Sequence, residues 1–97
     1  MMGRDLLTTE ELAAGVASLA DGWEVEGGAI VRRFGFRGFA EAFAFMTAVA
    51  GKAEEMDHHP EWSNVYNRVN VRLTTHSAGG VTGLDLEMAR FMDQQAG

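Results

Sequence analysis

Phe39-Ala40-Glu41-Ala42-Phe43-Ala44-Phe45-Met46-Thr47-Ala48-Val49-Ala50-Gly51-Lys52-Ala53-Glu54-Glu55-Met56, followed at once by Asp57-His58-His59-Pro60-Glu61-Trp62, is the stretch that decides the architecture of this chain. Phe39, Phe43, Met46, Ala50 and Ala53 recur at alternating spacings of four and three, the period of one helical face. The pattern predicts one long helix with that stripe buried. Glu41, Lys52 and Glu55 fall on its other side, while a rotation of about 100° per residue sets Glu54 about 60° from the stripe centre, at the edge of the buried face. Pro60 disfavours helical geometry at His59, so the helix must end near Met56.

Upstream, Thr8 and Glu11 have capping-box spacing, with Leu7 and Leu12 at the staple positions around them. A first helix follows, with Leu12, Val16 and Leu19 on its buried face and Asp21-Gly22 at its end. Trp23 to Val25, Glu26-Gly27-Gly28 and Ala29 to Phe36 read as strand, tight turn, strand, since glycine accepts positive φ. Downstream of Trp62, Val65-Tyr66 is expected as a short strand. In Val69 to Thr75, Val69, Val71, Leu73 and Thr75 alternate with Asn70, Arg72, Thr74 and His76, the period of a half-buried strand. Ser77-Ala78-Gly79-Gly80 makes a turn. Thr82 and Asp85 then repeat the capping box, with Val81 and Leu86 as its staple, opening a third helix to about Gln95 with Leu84, Met88 and Phe91 as its apolar stripe. The order α-β-β-α-β-β-α is that of an α+β domain of two layers, a four-stranded antiparallel sheet with helices packed on one face.

Length and composition narrow the function. At 97 residues the chain is expected to be a single domain over 1–97, and its 46% apolar content suits a globular protein. A net charge of −6 argues against tracking nucleic acid or an anionic membrane, both of which call for clustered Lys and Arg. With no cysteine there can be no disulfide, thiolate metal site or cysteine nucleophile. Met1-Met2-Gly3-Arg4-Asp5 leads into no apolar leader and no stretch is long and apolar enough to span a bilayer, so a cytoplasmic protein is expected.

All three histidines fall within residues 58–76. Imidazoles titrate near neutral pH, so His58, His59 and His76 converging on one pocket would suit general acid–base work. Surface or capping roles are the plain alternative. A metal site built from these three and Asp57 is disfavoured, because neighbours on an extended chain point to opposite sides and no helical H-E-x-x-H is present. Trp62, beside Pro60, could form an aromatic wall for a flat heterocycle or simply pack in the core. Asp85 could serve a site or only cap its helix. Gly79-Gly80 lacks the lysine of a phosphate loop.

Glu54-Glu55-Met56-Asp57-His58-His59-Pro60-Glu61-Trp62, then Val65-Tyr66-Asn67, Leu73-Thr74-Thr75-His76 and the later Asp85, closely resemble the pterin-4a-carbinolamine dehydratase family. The D-H-H-P-x-W block, the downstream T-H and the Asp beyond it are together highly specific, and the resemblance runs from roughly Leu12 to Phe91. It implies an enzyme that dehydrates a 4a-hydroxytetrahydropterin to the quinonoid dihydropterin, with no metal and no cofactor of its own, in tetrahydropterin recycling. It further implies active-site histidines at His58, His59 and His76, a cleft lined by Glu54, Asp57, Pro60, Trp62 and Asp85, and assembly into a homodimer or homotetramer. Ser77 and Leu84 depart from the acidic and basic residues that many relatives carry there, which bears on contacts to the substrate's tail and ring edge.

Overall fold

The computed structural model describes residues 4–97. Met1 to Gly3, part of the start read above for a leader, lie outside the described residues. The elements are α1 (Thr9–Ala17), β1 (Glu24–Glu26), β2 (Ala29–Gly35), α2 (Phe39–Met56), β3 (Glu61–Val65), β4 (Arg68–Leu73), a short 3-10 turn (His76–Ala78) and α3 (Gly83–Ala96). This is the expected α+β order. The sheet is antiparallel throughout, in the order β1-β2-β4-β3, so the two hairpins meet along β2 and β4.

Alternation along the strands decides which side the helices cover. Ile30 and Phe34 of β2 and Val69, Val71 and Leu73 of β4 are buried, whereas Arg33, Arg68 and Asn70 between them are exposed. One face therefore carries the core, and each large apolar side chain buried there contributes on the order of 1.5–3 kcal/mol. Phe34 packs on Phe45 of α2 with ring centroids 4.8 Å apart, and Trp23 meets Phe34 edge-on at 5.9 Å. α1 lies over this core through Leu12, Val16 and Leu19, as expected, although none of its residues is fully buried. It comes close because Gly15 has no side chain: a Cβ there would lie 2.5 Å from Leu86 Cδ1.

Both capping boxes form. Thr8 accepts from the Glu11 amide at 3.1 Å while Glu11 accepts from the Thr8 amide at 2.9 Å, and Thr82 and Asp85 repeat the exchange at the head of α3. Asp93, near the end of α3, ties three elements together. It accepts from the Ala20 amide at 3.0 Å, Trp23 Nε1 at 2.8 Å and Arg32 Nη1 at 2.5 Å. Arg32 lies on the core side of β2 between Ile30 and Phe34, where its half-buried cation needs such a partner.

Three sequence expectations need correction. The buried stripe of α2 is Ala42, Phe45, Val49 and Ala53, while Phe39 and Phe43 are about half exposed and Ala50 is exposed. Ala53 is buried and Met46 packs half-buried against the core as expected, but nearly every turn of this helix carries an apolar residue on more than one side, so spacing alone put the stripe out of phase at Phe39, Phe43 and Ala50. Glu54 accordingly lies well outside, with a side chain 78% exposed. The third strand is Glu61–Val65 rather than Val65-Tyr66, since Tyr66 turns the hairpin with φ 52°. In α3, Met88 is buried as expected, but Leu84 and Phe91 are only half-buried, and Leu86, Ala89 and Met92 complete the packing face. No helix among the described residues is long and apolar enough to cross a membrane.

Candidate active site

The end of α2 creates the site. The Asp57 amide donates to Glu54 O at 3.3 Å and the His58 amide to Ala53 O at 3.0 Å, the paired bonds of a Schellman motif. That motif needs a left-handed residue, and Asp57 supplies it with φ 50° and ψ 46°. An aspartate tolerates this conformation better than most side chains. The reversal turns the chain inward, so that His58 is buried while His59 remains exposed. Pro60, half-buried, then leads directly into β3.

His58 Nε2 lies 2.6 Å from Oδ1 of Asp85, which is itself fully buried. The other oxygen, Oδ2, accepts from the Thr82 amide and from Thr75 Oγ1, both at 2.9 Å. With the Thr75 proton committed to Asp85, the 2.8 Å contact between the two threonine hydroxyls has Thr82 donating. Thr82 Oγ1 in turn accepts from the Leu84 amide at 3.2 Å. The chain of donors ends on a carboxylate, and carboxylate oxygens accept, so Nε2 of His58 carries the proton. Its Nδ1 makes no hydrogen bond among the described residues.

His59 Nε2 lies 2.6 Å from Glu54 Oε2, and His76 Nε2 lies 2.6 Å from Glu61 Oε2. Glu61 receives Arg72 Nη1 on its other oxygen at 3.0 Å. The Glu61 carboxyl is held below the ordinary glutamate value, first by its hydrogen bond to His76 and then by that to Arg72. Each imidazole thus meets a carboxylate through Nε2: His58 and His76 one from a distant part of the chain, His59 one from the adjoining end of α2.

These pairs form one neighbourhood. His58, His59 and Glu61 are almost consecutive, and Thr75, the residue before His76, is bonded to the same Asp85 that holds His58. Contacts and peptide bonds close a ring through His58, Asp85, Thr75, His76, Glu61, Pro60 and His59. Asp57 is exposed at the turn, and Trp62, across β3 from Glu61, packs partly buried against the core beside Val71. Ser77 is exposed on the 3-10 turn, and Leu84 is half-buried at the start of α3. β4 ends at Leu73 and His76 opens the turn, but the alternation runs on, with Thr75 buried and His76 exposed beside Glu61, the partner of Arg72.

Glu61, Thr75 and Thr82 were not singled out from the sequence as site residues. Thr82 carried a visible signal as a helix cap, and Thr75 one as a core-facing strand position. Glu61 carried only its place in the D-H-H-P-x-W block. A groove of about 750 Å³ along the open face of the sheet includes Glu61, Trp62, Ser63, Asn70 and Arg72 but none of the histidines. The geometry of the imidazoles is the better guide, because it brings titratable groups and their partners together. Among the described residues, no three His, Asp or Glu side chains are grouped closely enough to hold a metal ion.

Known proteins resemble this chain over nearly its full length. The family model described as pterin 4 alpha carbinolamine dehydratase matches residues 5–95. A protein of Mesorhizobium japonicum, provisionally named pterin-4-alpha-carbinolamine dehydratase, is 52% identical over 99% of each chain. One from Paraburkholderia xenovorans with the same provisional name is 55% identical over 90% of this chain and 92% of its own. Among solved structures, a protein of Brucella melitensis described as a transcriptional coactivator/pterin dehydratase superposes with a TM-score of 0.92 at 52% identity, covering 96% of this chain and all of the other. A pterin dehydratase-like protein described as a RuBisCO assembly factor in the alpha-carboxysome superposes with a TM-score of 0.64 at 26% identity, covering 77% of this chain and 87% of that one.

Proposed function

The chain belongs to the pterin-4a-carbinolamine dehydratase family, and we propose that it is a hydro-lyase that removes water from a 4a-hydroxytetrahydropterin by histidine acid–base catalysis. The reaction is an elimination: the C4a–O bond breaks, a proton is delivered to the departing hydroxyl, and the proton on N5 is taken up as the C4a=N5 bond forms. Water and the quinonoid dihydropterin result. Only proton transfers are required, and an imidazole can serve either end.

The observation that carries this reading is His58, an imidazole fixed through Nε2 to a fully buried carboxylate while its Nδ1 has no hydrogen-bond partner among the described residues. A preorganised group of that kind gives or takes a proton without first being ordered. We assign the two proton transfers to His58 and His76. His59, held to Glu54 at the rim, mainly binds the pterin ring. Asp85 and Glu54 orient imidazoles, Asp57 faces the polar edge of the ring, and Pro60 and Trp62 shape the wall beside it. The pathway served is tetrahydropterin recycling. A coupled hydroxylase assay tests the activity: the purified chain should accelerate formation of the quinonoid dihydropterin above the spontaneous rate, and failure to do so overturns the proposal.

The same fold in a protein described as a RuBisCO assembly factor favours one second reading, an interaction module. The enzyme reading is preferred because a scaffold has no use for three imidazoles each fixed by a carboxylate. We also infer self-association into a dimer or tetramer. Phe39 and Phe43 pack against each other in a tilted arrangement, ring centroids 5.6 Å apart, on the outer side of α2 while remaining about half exposed, and β1 and β3 leave open sheet edges.

A further inference from the structure

Glu61 stands at the first position of β3, and the strand register places Arg72 of β4 directly opposite. Strand pairing, rather than the reach of two long side chains, therefore brings Arg72 Nη1 to Oε1 at 3.0 Å and leaves Oε2 for His76 Nε2 at 2.6 Å. The His76 ring is 79% exposed on a three-residue 3-10 turn and makes no other side-chain hydrogen bond among the described residues. Without Glu61 nothing in the surrounding packing would choose its rotamer or its tautomer. A neutral imidazole carries one proton on either nitrogen, and a carboxylate that can only accept selects the nitrogen facing it. A glutamate is ionised at neutral pH, and the hydrogen bonds from His76 and then Arg72 displace the Glu61 carboxyl further in that direction.

We propose that Glu61, anchored by Arg72, is the positioning residue of His76, holding the ring as the Nε2–H tautomer so that Nδ1 is the nitrogen presented for proton transfer. The inference rests on the reading of His76 as a proton-transfer group. It gives His76 the arrangement that Asp85 gives His58, but at the surface and with an arginine in place of the buried threonines. Since all three groups are substantially exposed, the pair contributes little to stability. Its effect is on the state of the ring.

Long-range ¹H–¹⁵N correlation spectra of the His76 ring, read with steady-state dehydration kinetics, test this on the full chain. The unaltered protein should show the Nε2–H tautomer alone, Glu61→Ala a mixture of both, and Arg72→Ala a smaller change in the same direction. Turnover by Glu61→Ala should fall about threefold to tenfold with KM within about twofold, a part of the roughly 10²-fold that one acid–base group supplies. Circular dichroism should be unchanged, because both replacements lie at exposed or half-exposed strand positions. An unaltered tautomer in Glu61→Ala overturns the inference. So does full turnover in Glu61→Ala when His76→Ala is impaired, and in both cases the role of His76 itself stands. A native-like His76→Ala protein with full activity removes the proton-transfer role and the inference with it.

Discussion

Asp85 joins the cap of α3 to the ring of His58: Oδ2 receives the Thr82 amide at 2.9 Å, and Oδ1 meets His58 Nε2 at 2.6 Å. One fully buried carboxylate thus satisfies a helix terminus and fixes an imidazole. Removing it leaves the Thr82 amide, the Thr75 hydroxyl and the His58 ring without their acceptor. Asp85→Ala should lower unfolding free energy by about 2–4 kcal/mol, the sum of a lost cap and an orphaned buried donor. Urea denaturation measures it, and a loss below about 1 kcal/mol would show that the network relaxes without cost.

The histidines should separate by role. Replacement of His58 or His76 by Ala is expected to lower turnover by about 10²-fold or less, because the partner imidazole and water can partly substitute. His59→Ala should act mainly through a raised KM with a smaller change in kcat. The double replacement of His58 and His76 should approach the spontaneous rate. His58 needs a further control, since its ring fills buried space; circular dichroism and unfolding must be native-like before its kinetics are read. Full activity in native-like single variants of both His58 and His76 would sink the assignment.

The element order and both capping boxes were legible because each cap is a local pattern whose hydrogen bonds span three residues. The extent of α2, Phe39–Met56, was legible because its apolar run begins at Phe39 and Pro60 disfavours helical geometry at His59. Its rotation was not. Phe39 and Phe43 match a buried stripe as well as Ala42 and Phe45 do, and only the position of the sheet decides between them. β3 escaped because Glu61, Ser63 and Val65 are all exposed while Trp62 and Asn64 are only partly buried, as on an edge strand. The histidine cluster stood out as residue types, but the burial of His58 against the exposure of His59 depends on the left-handed turn at Asp57. The Glu61 partnership depends on which residues the chain reversal brings back to His76.

The outer side of α2 should carry part of a subunit interface. Phe43→Glu places a charge beside Phe39 on a surface that is about half exposed in the single chain, so folding should survive while association weakens. Sedimentation at micromolar concentration is expected to give a multiple of 10.5 kDa for the unaltered chain and a smaller mass for the variant. A mass near 10.5 kDa before any substitution would count decisively against self-association.

Asp93 is the expected weak point of the fold away from the histidines. Its side chain is 12% exposed and that of Arg32 21%, so Asp93→Ala strands a largely buried guanidinium, along with the Trp23 indole N–H. Loss of one partner from such a pair should cost about 2–3 kcal/mol. Activity per folded molecule should be unchanged, because none of these residues touches the histidine neighbourhood. Thermal unfolding and turnover measured on the same sample separate the two effects, and a variant with normal stability would refute the bracing role.

Glu61 provides the pH test. Its carboxyl lies below the ordinary value of 4.5, with the hydrogen bond to His76 as the larger cause and that to Arg72 as the next. A depressed folded-state value means that the stabilisation linked to ionising Glu61 is fully present above the unfolded glutamate value and is lost as pH falls through the folded one. Carbon-detected titration of the Glu61 carboxyl should therefore give a midpoint below 4.5. Arg72→Ala should raise it part of the way, and His76→Ala should raise it further, following the order of the two causes. The His76–Glu61 contact should persist down to that lowered midpoint and open below it, visible as a change in the His76 ring signals at the same pH. A midpoint at or above the ordinary value would mean that the fork from Arg72 and His76 does not form in solution, and an unchanged midpoint in His76→Ala would remove His76 as its main cause.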